Sequence, residues 1–451
     1  MEKRTDMRAE ALDTLIDIER NKKLSHIAIG ETLMRHQFEK KSDRAFYTRL
    51  CEGVTERKIH LDYILDTYSK TPMRKCKPLI RSLLRMGAYQ ILFMDVRDAA
   101  ACSEAVSLAK KRGFGRLSGF VNGVLRTIVR EKDRLPVPDK KEFDKYLSIT
   151  YSVPEWLSRL MIDQYGAQTA ETMFASFLEA RPLTIRTNLS VITSEALEEE
   201  LKKDGVSVER GNYLPYALTI SHLNYLGKLA AFRQGKFAVQ DESSQLAVEV
   251  ADINEGDFVL DVCAAPGGKT FHAADRLHGT GKVLSRDLTE YKTDLIEENK
   301  DRMCYENVEV QQWDALVEDE SLLESVDVLL ADLPCSGLGI MGRKNDIKYQ
   351  MTQQQLSELA QLQRDILSVI WRYVKPGGEM IFSTCTLNRG ENIENIRWIE
   401  ENTPMRLVSI EDYLPETLKG RTGSQGYLQL IPGKDSCDGF FISKFERPEA
   451  R

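Results

Sequence analysis

The stretch Phe258-Val-Leu-Asp-Val-Cys-Ala-Ala-Pro-Gly-Gly-Lys-Thr270 reads as a strand, then a loop of small residues, then a helix start. Ala264, Ala265, Gly267 and Gly268 let the backbone come close to a ligand. The loop is neither GxGxxG nor GxxxxGK[ST], so it is not a phosphate cradle of either kind. Pro266 removes an amide that such a cradle would use. Asp261, just ahead of the loop, suits a cationic or hydroxyl-bearing ligand better than a pyrophosphate.

Outward from this loop, strands and helices alternate. Candidate strands are 258–263, 282–286, 307–312, 327–331, 378–383 and 438–444. That rhythm predicts a parallel βαβ sheet over 236–451, with the ligand crevice at the carboxyl ends of the strands. The last strand follows a Gly/Pro/Asp-rich loop instead of a helix, so it can enter antiparallel. Asp287 ends the second strand, where a carboxylate can take two ribose hydroxyls. Asp314 follows the third strand and Trp313, and could meet an adenine edge. An ordinary strand-end turn would explain Asp287 alone. Together with the 261–270 loop, these residues describe a nucleoside without phosphates, and S-adenosylmethionine fits.

Two cysteines lie just past core strands in the same region. Cys335 sits in Val328-Leu-Leu-Ala-Asp-Leu-Pro-Cys-Ser-Gly337 and Cys385 in Glu379-Met-Ile-Phe-Ser-Thr-Cys-Thr-Leu387. A single buried cysteine is usually structural. Two thiols at neighbouring strand ends, one three residues after Asp332, point to covalent chemistry at an electron-poor carbon. Cys263 and Cys437 read as packing or loop-lining residues. Cys51, Cys76, Cys102 and Cys304 read as small buried hydrophobes.

The rest of the chain sets the context. Residues 1–130 hold 26 Lys and Arg against 16 Asp and Glu, while the whole chain carries −7. A basic segment joined to an acidic remainder suggests a polyanionic partner for the first. Leu12, Leu15 and Ile16 form one helical stripe; Ile80, Leu83, Leu84, Gly87, Ile91 and Met94 form another, with Pro78 in its first turn and Arg81 and Arg85 on a different face. We read 1–135 as an all-helical domain and 140–235 as a small α+β linker module, with strands at 183–188 and 217–220 and a helix at 194–204 opened by a Ser cap. No apolar run reaches membrane-spanning length and the first residues lack a signal-peptide core, so a cytoplasmic protein is expected. No CxxC pair is present among the eight cysteines, so no metal site is expected.

The motifs resemble the RNA cytosine-5 methyltransferases. The matching stretches are Asp261–Thr270, Asp332-Leu-Pro-Cys-Ser-Gly337, Ser383-Thr-Cys-Thr386 with Glu391-Asn392, Asp438-Gly-Phe-Phe441 and Gln240-Asp-Glu-Ser-Ser-Gln245. Leu333 departs from the Ala more usual in the family. Residues 1–130 resemble the NusB-type RNA-binding helical domain, most closely at 81–90 and 115–126. Their fusion is the plan of the bacterial Sun/Fmu (RsmB) type of small-subunit ribosomal RNA methyltransferase. The resemblance implies a three-part fold: a NusB-like helical domain, a small α+β module and a Rossmann-like class I methyltransferase domain.

It further implies S-adenosylmethionine as cofactor, 16S ribosomal RNA as partner, and transfer of a methyl group to cytosine C5 through a Cys–C6 intermediate. By resemblance Cys385 is the nucleophile and Cys335 assists proton removal and release. Asp332 would bond the cytosine N3/N4 edge and hold a proton. Lys269 would favour a thiolate at Cys385 and contact the base. Ala264, Ala265, Pro266, Gly267, Gly268, Lys269, Asp287, Asp314 and Asp332 would bind the cofactor. Arg343, Lys344 and Lys348 could hold the RNA backbone, and Arg186 resembles an RNA-contacting arginine. A monomer is expected. Rival readings are the same chemistry on transfer RNA or large-subunit RNA, amino-group methylation, and a non-catalytic NusB-like RNA-binding protein.

Overall fold

The computed structural model describes residues 5–223 and 225–449. It divides into two compact units, one through Leu178 together with Met341–Gln350, the other Glu179–Ile340 with Met351–Arg451.

The first unit is all helical. Its hub is helix Pro78–Phe93, with Pro78 in the first turn and buried residues on every side, including Arg85 and Gln90. A helix buried all round needs close approach by its neighbours. Two glycines supply it. A Cβ at Gly53 would lie 1.9 Å from Tyr89 Cζ, and one at Gly87 would lie 2.6 Å from Leu125 Cδ1. Arg85 is not a surface cation: it makes a two-toothed contact with Asp62 at 2.7 and 2.6 Å. Arg81 pairs with Glu19 at 2.5 Å. Helices Phe143–Tyr151, Glu155–Tyr165 and Ala167–Ser176 complete the unit.

Met341–Gln350 is held in this unit by side chains. Lys348 donates to the Glu56 carbonyl at 2.9 Å, Tyr349 OH lies 2.9 Å from Ser152 Oγ, and Asp346 accepts from the Ser25 amide at 2.7 Å. Lys348 is 3 % exposed. The expectation that it grips an RNA backbone is therefore corrected: its stem and ammonium are interior. Burial pushes its pKa down to about 7.

The second unit holds two sheets. The smaller is antiparallel, in the order β2-β3-β1-β4, from β1 (Leu183–Thr187), β2 (Ser207–Arg210), β3 (Ala217–Ser221) and β4 (Phe237–Val239). Helix Ser194–Lys203 covers it through Leu197 and Leu201. Its cap is Thr193, whose hydroxyl accepts from the Ala196 amide, one residue ahead of the expected serine. The strands β2 and β4 are short and were not read from the sequence.

The larger sheet comprises β5 (Phe258–Asp261), β6 (Lys282–Asp287), β7 (Val308–Gln312), β8 (Val326–Asp332), β9 (Val374–Thr384), β10 (Arg406–Leu407), β11 (Tyr427–Leu430) and β12 (Phe440–Glu446). Its order is β10-β12-β9-β8-β5-β6-β7, with β11 also paired to β12. From β9 to β7 every pairing is parallel; β12 runs antiparallel to both β9 and β11. Alternate residues feed two cores. Val259, Val328, Leu330 and Ile381 pack on one face; Leu260, Leu329, Ala331, Met380 and Phe382 pack on the other. Burial on both faces explains the continuous apolar runs. The chain moves outward from β5 through β6 to β7, then returns to place β8 on the other side of β5. Strand order reverses there, and a crevice opens beyond the carboxyl ends. The three-part fold class expected from the sequence is borne out.

Candidate active site

At that reversal β5 ends in Asp261 and β8 in Asp332. The loop after β5 contains a cis Ala265–Pro266 peptide and turns into helix Gly268–Arg276 at Gly267, whose φ is +100°. A side chain at Gly267 would be strained at that φ, and its Cβ would lie 2.2 Å from the Phe271 ring. The loop is tied to β6 because the Ala265 amide donates to Asp287 Oδ2 at 2.9 Å. Asp287 Oδ1 accepts from the Leu288 amide at 2.7 Å and from Lys292 at 2.8 Å.

A cavity of about 180 Å³ is lined by Gln240, Asp241, Asp261, Ala264, Ala265, Pro266, Gly268, Lys269 and Asp332, among others. Asp261 is buried, and burial raises its carboxyl to about 7 although the Thr270 hydroxyl donates to it at 2.8 Å. Its Oδ1 and the Gln240 Nε2 are buried atoms that find no protein partner. An unmet acceptor and an unmet donor lining one cavity suit a ligand carrying both kinds of polar group. Gly267, Asp287 and Asp314 do not line it. Asp314 is exposed beyond β7 and accepts from the Leu316 amide at 3.0 Å.

The predicted chemical residues converge beside this cavity. Lys269 Nζ donates to Asp332 Oδ2 at 2.6 Å and stands 5.1 Å from the Phe440 ring centroid. Ser383 Oγ donates to Asp332 Oδ1 at 3.1 Å. The ammonium expected to act on Cys385 is thus committed to Asp332. The Cys335 and Cys385 sulfurs are 3.3 Å apart. The contact with Cys385, then burial, then the charges of Glu391 and Asp332 push the Cys335 thiol up.

The backbone knits these loops together. The Gly339 amide donates to the Cys385 carbonyl, and the Gly439 amide to the Gly339 carbonyl, both at 3.0 Å. A Cβ at Gly439 would lie 2.7 Å from Gly339 Cα, which accounts for Gly439 in the Asp438-Gly-Phe-Phe stretch.

Arg186 is wholly buried. It pairs with Asp275 at 2.8 Å and donates to Gln240 Oε1 at 3.0 Å. The RNA-contacting reading of Arg186 is therefore corrected: its guanidinium braces the glycine-loop helix and a cavity residue from inside. Gln240 and Glu391 stood in the sequence only as parts of matching stretches, without roles. Hydrogen bonds across long sequence separations locate them, and local pattern does not record those. Cys51, Cys102 and Cys437 are buried as expected, whereas Cys304 is exposed at a left-handed helix end and Cys76 is half-buried.

Comparison with known proteins places this geometry. Residues 248–446 match the family 16S rRNA methyltransferase RsmB/F, residues 5–130 the NusB family, and residues 153–224 the ferredoxin-like domain of RsmF/B-like methyltransferases. The probable ribosomal RNA small subunit methyltransferase B of Bacillus subtilis (strain 168) is 35% identical over 453 residues, covering 99% of each chain. The chain belongs to the RsmB/F family. A Synechocystis relative, also a probable ribosomal RNA small subunit methyltransferase B, is 30% identical over 96% of this chain and 97% of its own. The crystal structure of PH0851 superposes with TM-score 0.81 at 26% identity, covering 98% of this chain and 100% of that one. NSun6 from Pyrococcus horikoshii, solved with SFG, shares the fold over 69% of this chain and 98% of its own, with TM-score 0.57 and 22% identity. As an RsmB/F member the chain is an S-adenosylmethionine-dependent ribosomal RNA methyltransferase. The cavity beside the glycine loop fits that cofactor by its donor and acceptor set.

Proposed function

We propose that the protein methylates C5 of a cytosine in 16S ribosomal RNA through a covalent Cys385–C6 bond. The observation that carries this reading is the pair of sulfurs 3.3 Å apart at the ends of β8 and β9, beside the Lys269–Asp332 pair.

C5 of cytosine is too weak a nucleophile to take a methyl group unaided. The Cys385 thiolate adds to C6, forming a C–S bond, and the ring electrons move toward C5 and N3. Asp332, steadied by Lys269 and Ser383, bonds the N3/N4 edge, and a proton from water passes through its carboxylate to N3 and returns the same way once the C6–S bond breaks. S-adenosylmethionine supplies the methyl group as an electrophilic carbon on a sulfonium. Cys335, its own proton first passed to water, then removes the C5 proton as thiolate, the C6–S bond breaks, and Cys385 departs as thiolate. The target base must leave its stack to present both face and edge. Ala264, Ala265, Pro266, Gly268, Lys269 and Asp332 would hold the cofactor, with Gly267 turning their loop and Asp287 tying it, and Asp314 beyond the next strand would meet an adenine edge.

In this reading residues 1–135 bind RNA through phosphates, 140–235 form a recognition and linker module, and 236–451 perform the transfer. Amino-group methylation is disfavoured because it needs no thiol nucleophile.

The test is transfer of labelled methyl to isolated RNAs, followed by digestion to nucleosides. We expect 5-methylcytidine in 16S RNA. Label confined to transfer RNA or 23S RNA, or found as N4-methylcytidine, would overturn the reading.

A further inference from the structure

Glu391 is fully buried, and a buried carboxylate is costly unless its lone pairs are met. Its Oε2 accepts from the Ser336 amide at 2.8 Å and from Gln363 at 3.3 Å. Its Oε1 accepts from the Ser336 hydroxyl at 2.5 Å, Asn388 at 3.1 Å and the Thr386 hydroxyl at 3.4 Å. All of these donors are neutral. Ser336 follows Cys335 in the chain, and Thr386 follows Cys385. The two hydroxyls are themselves 2.6 Å apart. Gln363 also donates to the carbonyl of Pro334, on the other side of Cys335, at 2.8 Å. One carboxylate therefore holds both cysteine loops by the residue next to each sulfur, and holds the Cys335 loop more closely.

We propose that Glu391 is the positioning residue of the thiol pair, setting the Cys335 loop against the Cys385 loop and placing its charge on the Cys335 side, so that the two sulfurs divide the roles of proton acceptor and nucleophile. This rests on the covalent reading above. The groups acting on Cys335 are Cys385 across the sulfur contact, Glu391 beneath the loop, and Asp332 at the end of β8 with Lys269 bonded to it. A thiol pushed up gives a more basic thiolate, which suits removal of the C5 proton. Removing the charge of Glu391 removes part of that push.

The test is alkylation of the intact protein by iodoacetamide across a pH series, with each cysteine read separately by peptide mass spectrometry. Turnover on 16S RNA is measured in parallel. Glu391→Gln preserves size and removes the charge. We expect the pH midpoint for Cys335 alkylation to fall by about one unit. We also expect turnover at neutral pH to drop about tenfold or more, with KM for S-adenosylmethionine unchanged. A Cys335 midpoint that does not move overturns the proposal, whatever turnover does. Glu391→Asp retains the charge but lengthens the Ser336 contacts, and it decides the matter if the Gln variant does not fold. Its Cys335 midpoint should stay at the wild-type value while turnover falls, and a midpoint that drops with the carboxylate still present would also overturn the proposal. The covalent reading fails in a different way, by the absence of 5-methylcytidine in wild-type reactions, and that failure leaves the alkylation midpoints as they are.

Discussion

At the scale of single residues, the site rests on carboxylates whose neighbours give them different tasks. Asp332 receives an ammonium and a hydroxyl at the cavity wall, whereas Asp261 is buried with one oxygen unmet. Replacing Asp332 by Asn keeps the shape and removes the charge. Turnover should fall about a hundredfold or more, well beyond any weakening of the dissociation constant for S-adenosylmethionine measured by calorimetry. Undiminished turnover would refute its role at the base edge. Asp261 titrates at about 7 because of burial. Below that pH the carboxyl is neutral, and pairing it with a cationic ligand requires loss of its proton. Affinity for S-adenosylmethionine should therefore weaken as pH falls through 7, approaching about tenfold per unit below it. Asp261→Asn should bind weakly with a flat profile across the same range. A flat wild-type profile would remove Asp261 from contact with the cationic part of the cofactor.

At the scale of elements, the parallel strands were legible because both of their faces are buried, which leaves uninterrupted apolar runs such as Val328–Ala331 and Met380–Phe382. The antiparallel entry of β12 was legible from the loop before it. β10, with two residues, and β11, with four, carry too little periodicity to be read. Site residues with a reactive group at a strand end could be named in advance. Residues that act through distant contacts could not: family resemblance suggested an RNA contact for Arg186, while its partner Asp275 lies 89 positions away. Removing one partner of that buried pair by Arg186→Met should cost about 3–5 kcal/mol.

The same limit applies to Lys348, whose basic neighbours Arg343 and Lys344 suggested a phosphate grip. Burial lowers its pKa to about 7, below the ordinary lysine value. Below 7 both the folded and the unfolded chain carry the proton, and the burial penalty is full. Between 7 and the unfolded pKa the unfolded chain binds more protons, so stability contributed here rises with pH. We predict that the melting temperature of wild type gains more than that of Lys348→Met between pH 7 and 9. Equal gains would contradict this account of the 341–350 segment.

At the scale of the whole molecule, one chain joins a basic helical part to an acidic transferase. If phosphates anchor the RNA, affinity for a 16S fragment should fall steeply with salt, by about tenfold or more between 50 and 200 mM. A flat response in filter binding would count against phosphate anchoring. The proposed reaction differs from direct methyl transfer by a protein–RNA bond that outlives denaturation when release is blocked. The most direct measurement is a denaturing gel of Cys335→Ala, Cys385→Ala and the double variant after incubation with 16S RNA and S-adenosylmethionine. The account predicts a protein–RNA adduct with Cys335→Ala and none with either variant that lacks Cys385. An adduct from Cys385→Ala alone, or 5-methylcytidine made by that variant, would contradict it.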